Sequence, residues 1–229
     1  PKDVQDGKVA VTEDDILTNL PYVHGCGLCF DHHASEALRN DGKPTPGYIL
    51  QPDAKSAARV VYDYYGGKAS FPKISDAMME AVDKADSAGF SEEDVLDPSG
   101  WALLSFLMDA RTGLGRFRDF RVSNYQLMMM LIDCCRDLTV DEILELPDVK
   151  ERVELFQTQH ALFRDQISRV AEVHDNLVVL DLRDESVIYA GNRFVVYAMF
   201  PACGLSMHVM WGREKMNTVY TVGKSIFGP

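Results

Sequence analysis

The chain has 229 residues, of which 46% are hydrophobic, and its formal net charge at pH 7 is −12. This length and apolar content are sufficient for one large or two modest folded domains, and they exclude a disordered chain. The negative charge argues against binding along duplex nucleic acid, because that mode depends on many lysine and arginine contacts with phosphates. An anionic substrate would therefore need metal ions or a local basic patch.

The sequence contains no apolar run of about 18 residues and no secretory signal pattern at its start, so we expect a cytoplasmic protein without a membrane partner. It has five cysteines, an odd number, and Cys134 and Cys135 are adjacent. Both features argue against a disulfide framework. Cys26 and Cys29 have the spacing of a redox or zinc pair, but neither a second pair nor a helix start at Cys26 supports that alternative.

Two strands are predicted early in the chain. Residues 16–20 form the first strand and end at Pro21, and the apolar run 27–30 leads directly into Asp31, His32 and His33. Open parallel sheets place ligands at the carboxyl ends of their strands. Aspartate and histidine bind metals, and histidine transfers protons near neutral pH. The alternative is that Asp31 caps the helix that follows.

Alternating helix and strand patterns follow the triplet. They comprise a helix over 34–39, a loop over 40–47, a strand over 48–50, and helices over 52–65 and 74–85. This alternation indicates an α/β fold with a mainly parallel sheet and flanking helices. Asp83 and Asp86 lie three residues apart at the end of the last helix, where a carboxylate is unfavourable unless a cation lies beside it.

Four arginines stand close together after a buried helix predicted over 101–108. They are Arg111, Arg116, Arg118 and Arg121, and Gly113 and Gly115 lie among them. Arginine matches phosphate oxygens in pairs, and glycine allows close approach of the backbone to a ligand. The pattern predicts a phosphate-contacting loop. The alternative is a structural loop in which these arginines pair with acidic neighbours.

The rest of the chain predicts three further helices and then β structure. Ser123 with Gln126, and Thr139 with Glu142, are capping boxes, and an apolar stripe from 149 to 174 predicts one long helix. His160 lies inside that stripe, which favours a hydrogen-bonded core histidine over a ligand. Period-two or continuous β patterns follow over 177–182, 187–190, 194–200 and 205–211.

Three segments resemble the DHH phosphoesterases, in particular the exopolyphosphatase-like branch. They run from Phe30 to Glu36, from Ala85 to Phe90 and from Asp109 to Phe117, and in order and spacing the resemblance covers most of the chain. It implies a two-domain, metal-dependent enzyme, usually loaded with manganese, that hydrolyses phosphoanhydride or phosphodiester bonds.

The resemblance also implies roles for individual residues. His32 and Asp86 match metal ligands, and Asn19 stands where the family has a metal-binding aspartate. Asp31 would orient the imidazoles, and His33 would contact the substrate or the scissile phosphate. The implied cofactor is Mn²⁺ or Mg²⁺, and the implied substrate is a phosphorylated small molecule, polyphosphate or a short oligonucleotide. An asparagine binds a divalent ion more weakly than an aspartate does.

The implied organisation is a DHH-type metal-binding domain over 1–145, a connecting helix over 146–175, and a partial β-rich α+β substrate-binding domain over 176–229. The family's N-terminal aspartate pair and its C-terminal glycine-rich loop with histidine have no counterpart here. We therefore expect either part of a longer protein or a degenerate site. Because few metal ligands remain, a non-catalytic nucleotide- or phosphate-binding module is the second hypothesis.

Overall fold

The computed structural model of the chain describes residues 2–39 and 45–228, so residues 40–44 of the predicted loop lie outside it. The chain divides into two compact units, residues 1–89 and 90–229. The domain boundary predicted at residue 145 lies inside the second of these units. No helix within the described ranges is both long and apolar enough to span a lipid bilayer.

The first unit is built on a parallel sheet in the order β1-β2-β3. Its strands are β1 (Ile16–Thr18), β2 (Leu28–Asp31) and β3 (Tyr48–Leu50), and its helices are α1 (Lys2–Gln5), α2 (Ala34–Arg39), α3 (Ala57–Tyr64) and α4 (Asp76–Asp86). The central strand β2 pairs with both neighbours, and its Cys29 and Phe30 are fully buried. The parallel sheet expected here is confirmed, because a strand covered on both faces has a continuous apolar sequence.

Helices α3 and α4 begin at serine caps rather than at the positions that the sequence pattern indicated. The Ser56 side chain accepts a hydrogen bond from the backbone N–H of Arg59, so α3 starts at Ala57 and not near residue 52. In the same way Ser75 accepts from the backbone N–H of Met78 and starts α4. Helix α4 ends at Asp86.

The second unit combines helices with a mixed sheet in the order β4-β5-β6-β7. Its elements are α5 (Glu92–Leu96), α6 (Gly100–Met108), α7 (Asn124–Asp137), α8 (Val140–Leu144), α9 (Pro147–Val170), β4 (Ala171–His174), β5 (Leu177–Asp181), α10 (Val195–Met199), β6 (Leu205–Trp211) and β7 (Thr218–Lys224). Strands β5 and β6 are parallel, and the other two pairs are antiparallel. Both predicted capping boxes are confirmed, at the starts of α7 and α8.

Three predictions in this unit are wrong. The long helix ends at Val170, because residues 171–174 pair with β5 instead of continuing the helix. Residues 194–200 contain α10 and not a strand, and residues 187–190 form no strand. Helix α10 lies in the connection between the parallel strands β5 and β6, which cannot be joined by a tight hairpin turn. A short, fully buried apolar run does not distinguish a helix from a strand.

The core histidine predicted at position 160 is confirmed. His160 is buried, its Nε2 lies 3.1 Å from the carbonyl oxygen of Leu96, and its ring stacks on Phe156. Burial lowers the pKa of the imidazole. A neutral, packed histidine of this kind serves the interior of the second unit.

Candidate active site

Asp31 is the last residue of β2, and its side chain is completely buried. Its Oδ1 accepts a hydrogen bond of 2.8 Å from the backbone N–H of His32 and lies 2.7 Å from Nδ1 of His33. The Tyr48 hydroxyl lies 3.5 Å from Oδ2. The pKa of that tyrosine is raised, mainly by burial and to a smaller extent by the negative charge of Asp31. Asp31 thus belongs to the strand and fixes His33, rather than standing immediately before α2 as a cap.

The contact with Asp31 determines which nitrogen of His33 carries a proton. A carboxylate oxygen accepts hydrogen bonds, so Nδ1 of His33 is the protonated nitrogen in this pair. The other nitrogen, Nε2, is then left for a different partner in the neutral ring. The side chain of His33 is 52% exposed, so Nε2 can meet a ligand from solution.

His32 is held in the opposite way, through the backbone of a neighbouring segment. Its Nδ1 lies 3.1 Å from the carbonyl oxygen of Ala54, which can only accept, so Nδ1 carries the proton. Its Nε2 is buried, lies 3.1 Å from Oδ2 of Asp86, and has no hydrogen-bond partner. The Nε2–Oδ2 separation is within ion-pair range, yet the direction of the contact is not that of a hydrogen bond. In the neutral ring, two acceptors therefore face each other at close range.

This pair has the geometry that a shared cation requires. Two ligands about 2.1 Å from one ion and at right angles to each other are about 3 Å apart, which matches the distance between His32 and Asp86. A cation between the two acceptors would replace their repulsion with attraction. Mn²⁺ and Mg²⁺ accept such sites because water and substrate phosphates supply the remaining ligands.

Asn19 lies at the same edge of the sheet as these residues. It follows β1 in a left-handed conformation, and its backbone N–H donates to the carbonyl oxygen of Phe30. Its side-chain amide forms no hydrogen bond with His32 or Asp86 in the described part of the chain. Within residues 2–39 and 45–228, no group of three or more histidine, cysteine, aspartate or glutamate residues could hold a metal ion. Among the predicted ligands, the structure brings His32 and Asp86 together.

A buried polar network surrounds Asp83, which lies one turn before Asp86 in α4. Asp83 accepts hydrogen bonds from the Ser56 hydroxyl at 2.7 Å and from Nε and a terminal nitrogen of Arg59 at 3.0 and 2.7 Å. Ala54, whose carbonyl oxygen contacts His32, lies just before Ser56 and Arg59 in the chain. Residues 54–59 therefore contact His32 through Ala54, and helix α4 one turn before Asp86 through Ser56 and Arg59.

Sequence reasoning missed this network, although it placed Asp83 near Asp86. In the folded chain, Asp83 faces α3 and is paired with Arg59. A serine followed three residues later by an arginine at a helix start was the available signal. It could not show which distant carboxylate the pair would meet.

The predicted phosphate loop, residues 111–121, lies in the second unit, and we call residues 109–116 the arginine loop. Arg111 donates from Nε to both carboxylate oxygens of Asp109, at 2.8 and 3.1 Å, and Arg116 donates from Nε to the carbonyl oxygen of Gly113. Burial opposes ionisation of Asp109, but the hydrogen bonds from Arg111 outweigh it, and the pKa of Asp109 is lowered. These contacts order the loop, as the structural alternative predicts, while both guanidinium groups stay accessible.

The cysteines offer no reactive pair. All five are free, and Cys26 and Cys29 are both buried in the core of the first unit. The pKa of the Cys29 thiol is raised to about 12, mainly by burial and to a smaller extent by the neighbouring Cys26. A thiol with so high a pKa is a poor nucleophile at neutral pH.

The fold and the site together define an α/β protein with a histidine–carboxylate pair at the carboxyl edge of a parallel sheet. Comparisons with protein-family models and with curated proteins find no match. Among solved structures, the chain is similar to the pGpG-specific phosphodiesterase PggH from Vibrio cholerae, with 57% sequence identity and a TM-score of 0.88. The similarity covers 99% of this chain and 73% of that one. The chain therefore belongs to the same family as that phosphodiesterase.

This family relationship agrees with the phosphoesterase class that the DHH resemblance implied. The exopolyphosphatase-like branch, the metal and the roles of individual residues stay predictions.

Proposed function

We propose that this chain is a DHH-type phosphodiesterase that hydrolyses short phosphorylated dinucleotides such as pGpG and depends on Mn²⁺ or Mg²⁺. The reaction class and the substrate class are supported by its relationship to the pGpG-specific enzyme. The residues that we assign to the reaction are His32, Asp86, Asp31 and His33, with Asn19 as a weak additional ligand.

One observation carries the proposal. The buried Nε2 of His32 has no hydrogen-bond partner, although it lies 3.1 Å from a carboxylate oxygen of Asp86. Buried polar atoms are normally satisfied, so an unsatisfied nitrogen beside a carboxylate needs a physical reason. A divalent cation held by both residues supplies that reason. The carbonyl of Ala54, which accepts from Nδ1, would then orient the metal-binding imidazole.

When bound, the cation would supply an activated water and would neutralise charge on the phosphoryl oxygens. The chain itself positions the other groups. Asp31 holds His33 with Nδ1 protonated and Nε2 facing outward, where it can contact an oxygen of the scissile phosphate or exchange a proton with the leaving group. Arg111 and Arg116 are proposed to contact substrate phosphates, because their guanidinium forks suit paired oxygens.

A second candidate function is binding of nucleotide without hydrolysis. It is favoured by the site itself, since within residues 2–39 and 45–228 no group of three or more histidine, cysteine, aspartate or glutamate side chains could hold a metal ion. A cation bound by two side chains is held weakly. In that case the chain would retain the ligand site and lack turnover.

The proposal is tested by titrating Mn²⁺ into the full chain and by following pGpG hydrolysis with chromatographic separation of the products. We expect wild type to bind Mn²⁺ and to release GMP. Asp86→Asn should lower both binding and turnover by about 100-fold or more, because the metal loses a charged ligand. Asp76→Asn is the matched control, since Asp76 is an exposed aspartate in the first turn of the same helix.

Equal Mn²⁺ affinity and equal turnover in wild type and Asp86→Asn would contradict the proposal. Binding of pGpG that persists in EDTA, with no product under any metal, would establish the second candidate instead.

A further inference from the structure

Strand β7 forms one edge of the mixed sheet in the second unit. It pairs along its whole length with β6, from Trp211 with Thr218 to Leu205 with Lys224, and the register contains no bulge. Within residues 45–228, no strand pairs with the other side of β7. The strand has seven residues, contains no proline, and carries a single charge, on Lys224. A long edge strand of this composition can pair with a further strand.

The opposite edge of the same sheet is better protected against strand pairing. Strand β4 has only four residues, and two of them, Glu172 and His174, are polar and exposed. Short edge strands and exposed charges both hinder the addition of another strand. Strand β7 is longer, and its large side chains Tyr220 and Val222 are 62% and 63% exposed. Of the two edges, β7 is therefore the one suited to a partner strand.

The hydrogen bonds between β6 and β7 show which backbone groups face the open edge. The carbonyl oxygen of Asn217 accepts from the backbone N–H of Gly212, and the backbone N–H of Ser225 donates to the carbonyl oxygen of Gly204. Residues 217 and 225 thus face β6, and in an antiparallel pair the residues between them alternate in direction. The N–H and C=O groups of the even-numbered residues 218, 220, 222 and 224 therefore point away from the sheet.

We infer that β7 pairs antiparallel with β7 of a second copy of this chain, with Thr221 on the two-fold axis. In this register all four outward-facing residues of each strand belong to hydrogen-bonded pairs. Tyr220 lies opposite Val222 of the second copy, and an aromatic residue opposite a β-branched one stabilises an antiparallel pair. Within one copy, Tyr220 and Val222 lie opposite Val209 and Met207 of β6. The pairing therefore continues an apolar stripe from one sheet into the other.

A second copy suits this edge for two reasons. The two-fold register makes the strand complementary to itself, as a symmetric dimer requires. The chain has a net charge of −12, so two copies repel each other over most of their surfaces, whereas β7 contributes only the positive Lys224. One strand from each copy buries little area, and stable interfaces begin at roughly 1,200 Å² in total. We therefore expect a reversible dimer with a dissociation constant in the micromolar range.

The test is sedimentation velocity of the full chain over a series of micromolar concentrations, at which wild type should shift from monomer to dimer. Combining Tyr220→Lys with Val222→Lys should raise the dissociation constant about tenfold or more, because lysine then faces lysine in each pair. Combining Tyr220→Lys with Val222→Glu should preserve the dimer, since each new lysine faces a new glutamate. Ile132→Lys is the matched control, as Ile132 is 64% exposed on α7, and it should dimerise like wild type.

Wild type that stays monomeric, or a double-lysine variant that dimerises like wild type, would overturn the inference. A lysine–glutamate variant as weak as the double-lysine variant would overturn the register, and a monomeric Ile132→Lys would place the interface on α7 instead. If thermal unfolding shows that the double-lysine variant is not folded, Val222→Pro replaces it, because the N–H lost there points away from β6. Loss of the dimer in folded Val222→Pro supports the inference, and an unchanged dimer overturns it.

Discussion

The histidine–carboxylate site of the first unit and the arginine loop of the second are built in different ways. His32 and His33 are each held by a separate acceptor, the carbonyl of Ala54 and the carboxylate of Asp31, and Asp86 follows a buried ion pair on its helix. The arginines of the loop are exposed and are held through Nε alone. A small cation requires donors at fixed distances, whereas a phosphate can be met by long side chains that adjust to it.

Asp31→Asn should give the largest effect, because a neutral amide, which can also donate a hydrogen bond, replaces the carboxylate that keeps Nδ1 of His33 protonated. We expect kcat for pGpG hydrolysis to fall by about 1,000-fold, as general acid–base catalysis by an oriented histidine contributes about 10² to 10⁴. The measurement is steady-state kinetics across pH with saturating Mn²⁺. The pH profile should change shape as well as height. A kcat within about threefold of wild type would show that His33 does not depend on Asp31.

Asp83→Ala should reveal whether the buried network positions the cation site. It leaves Ser56 and Arg59 without their acceptor, and we expect the free energy of unfolding to fall by about 2 kcal/mol, less than for a fully buried pair because the Arg59 side chain is 27% exposed. The Mn²⁺ affinity should fall about 10- to 100-fold, as for other supporting groups around metals. Urea unfolding and calorimetric titration measure the two quantities.

Asp76→Ala, at an exposed position on the same helix, is the control for this experiment. If Asp83→Ala lowers stability while its Mn²⁺ affinity stays at the wild-type value, the network stabilises the first unit without positioning Asp86.

Arg111→Gln should have a smaller effect, which falls on substrate affinity. We expect the KM for pGpG to rise about tenfold with little change in kcat, because one guanidinium contact with phosphate is lost and the cation site is untouched. Arg111→Lys should give a KM for pGpG between those of wild type and Arg111→Gln. Stability should change little, since the ion pair with Asp109 involves a side chain that is 62% exposed. An unchanged KM would assign Arg111 to loop structure alone.

His160→Gln should give the smallest effect and lies outside both sites. Burial lowers the pKa of His160 in the folded chain. Below about pH 6.5 the unfolded chain therefore binds more protons than the folded chain, and the free energy of unfolding decreases as the pH is lowered. Glutamine cannot be protonated, so the variant should lose less unfolding free energy than wild type between pH 7.5 and pH 5. Urea unfolding at both pH values measures this difference. An equal loss in the two proteins would contradict the assignment of a neutral core histidine.

His208→Gln provides a comparison with the same sign, because burial also lowers the pKa of His208. Both variants should flatten the dependence of stability on pH, and their effects should add if the two histidines act independently.

Local sequence information was sufficient for several features of this protein. The apolar run that ends in Asp31, His32 and His33 predicted a buried strand with polar residues at its carboxyl end, and the structure has β2 there. The capping boxes predicted the starts of α7 and α8, because their hydrogen bonds join residues three positions apart. Periodicity alone failed over residues 194–200, where a buried helix and a buried strand have the same apolar sequence.

The contacts that make the site came from the tertiary structure. Three contacts join residues that are far apart in the chain: the carbonyl of Ala54 with His32, Asp83 with Arg59, and the backbone of Gly191 with Thr112 in the arginine loop. The sequence determined which side chains were available and which strand ends carried them. Packing decided which of them meet, because a hydrogen bond or a shared cation depends on distances that only the folded chain fixes.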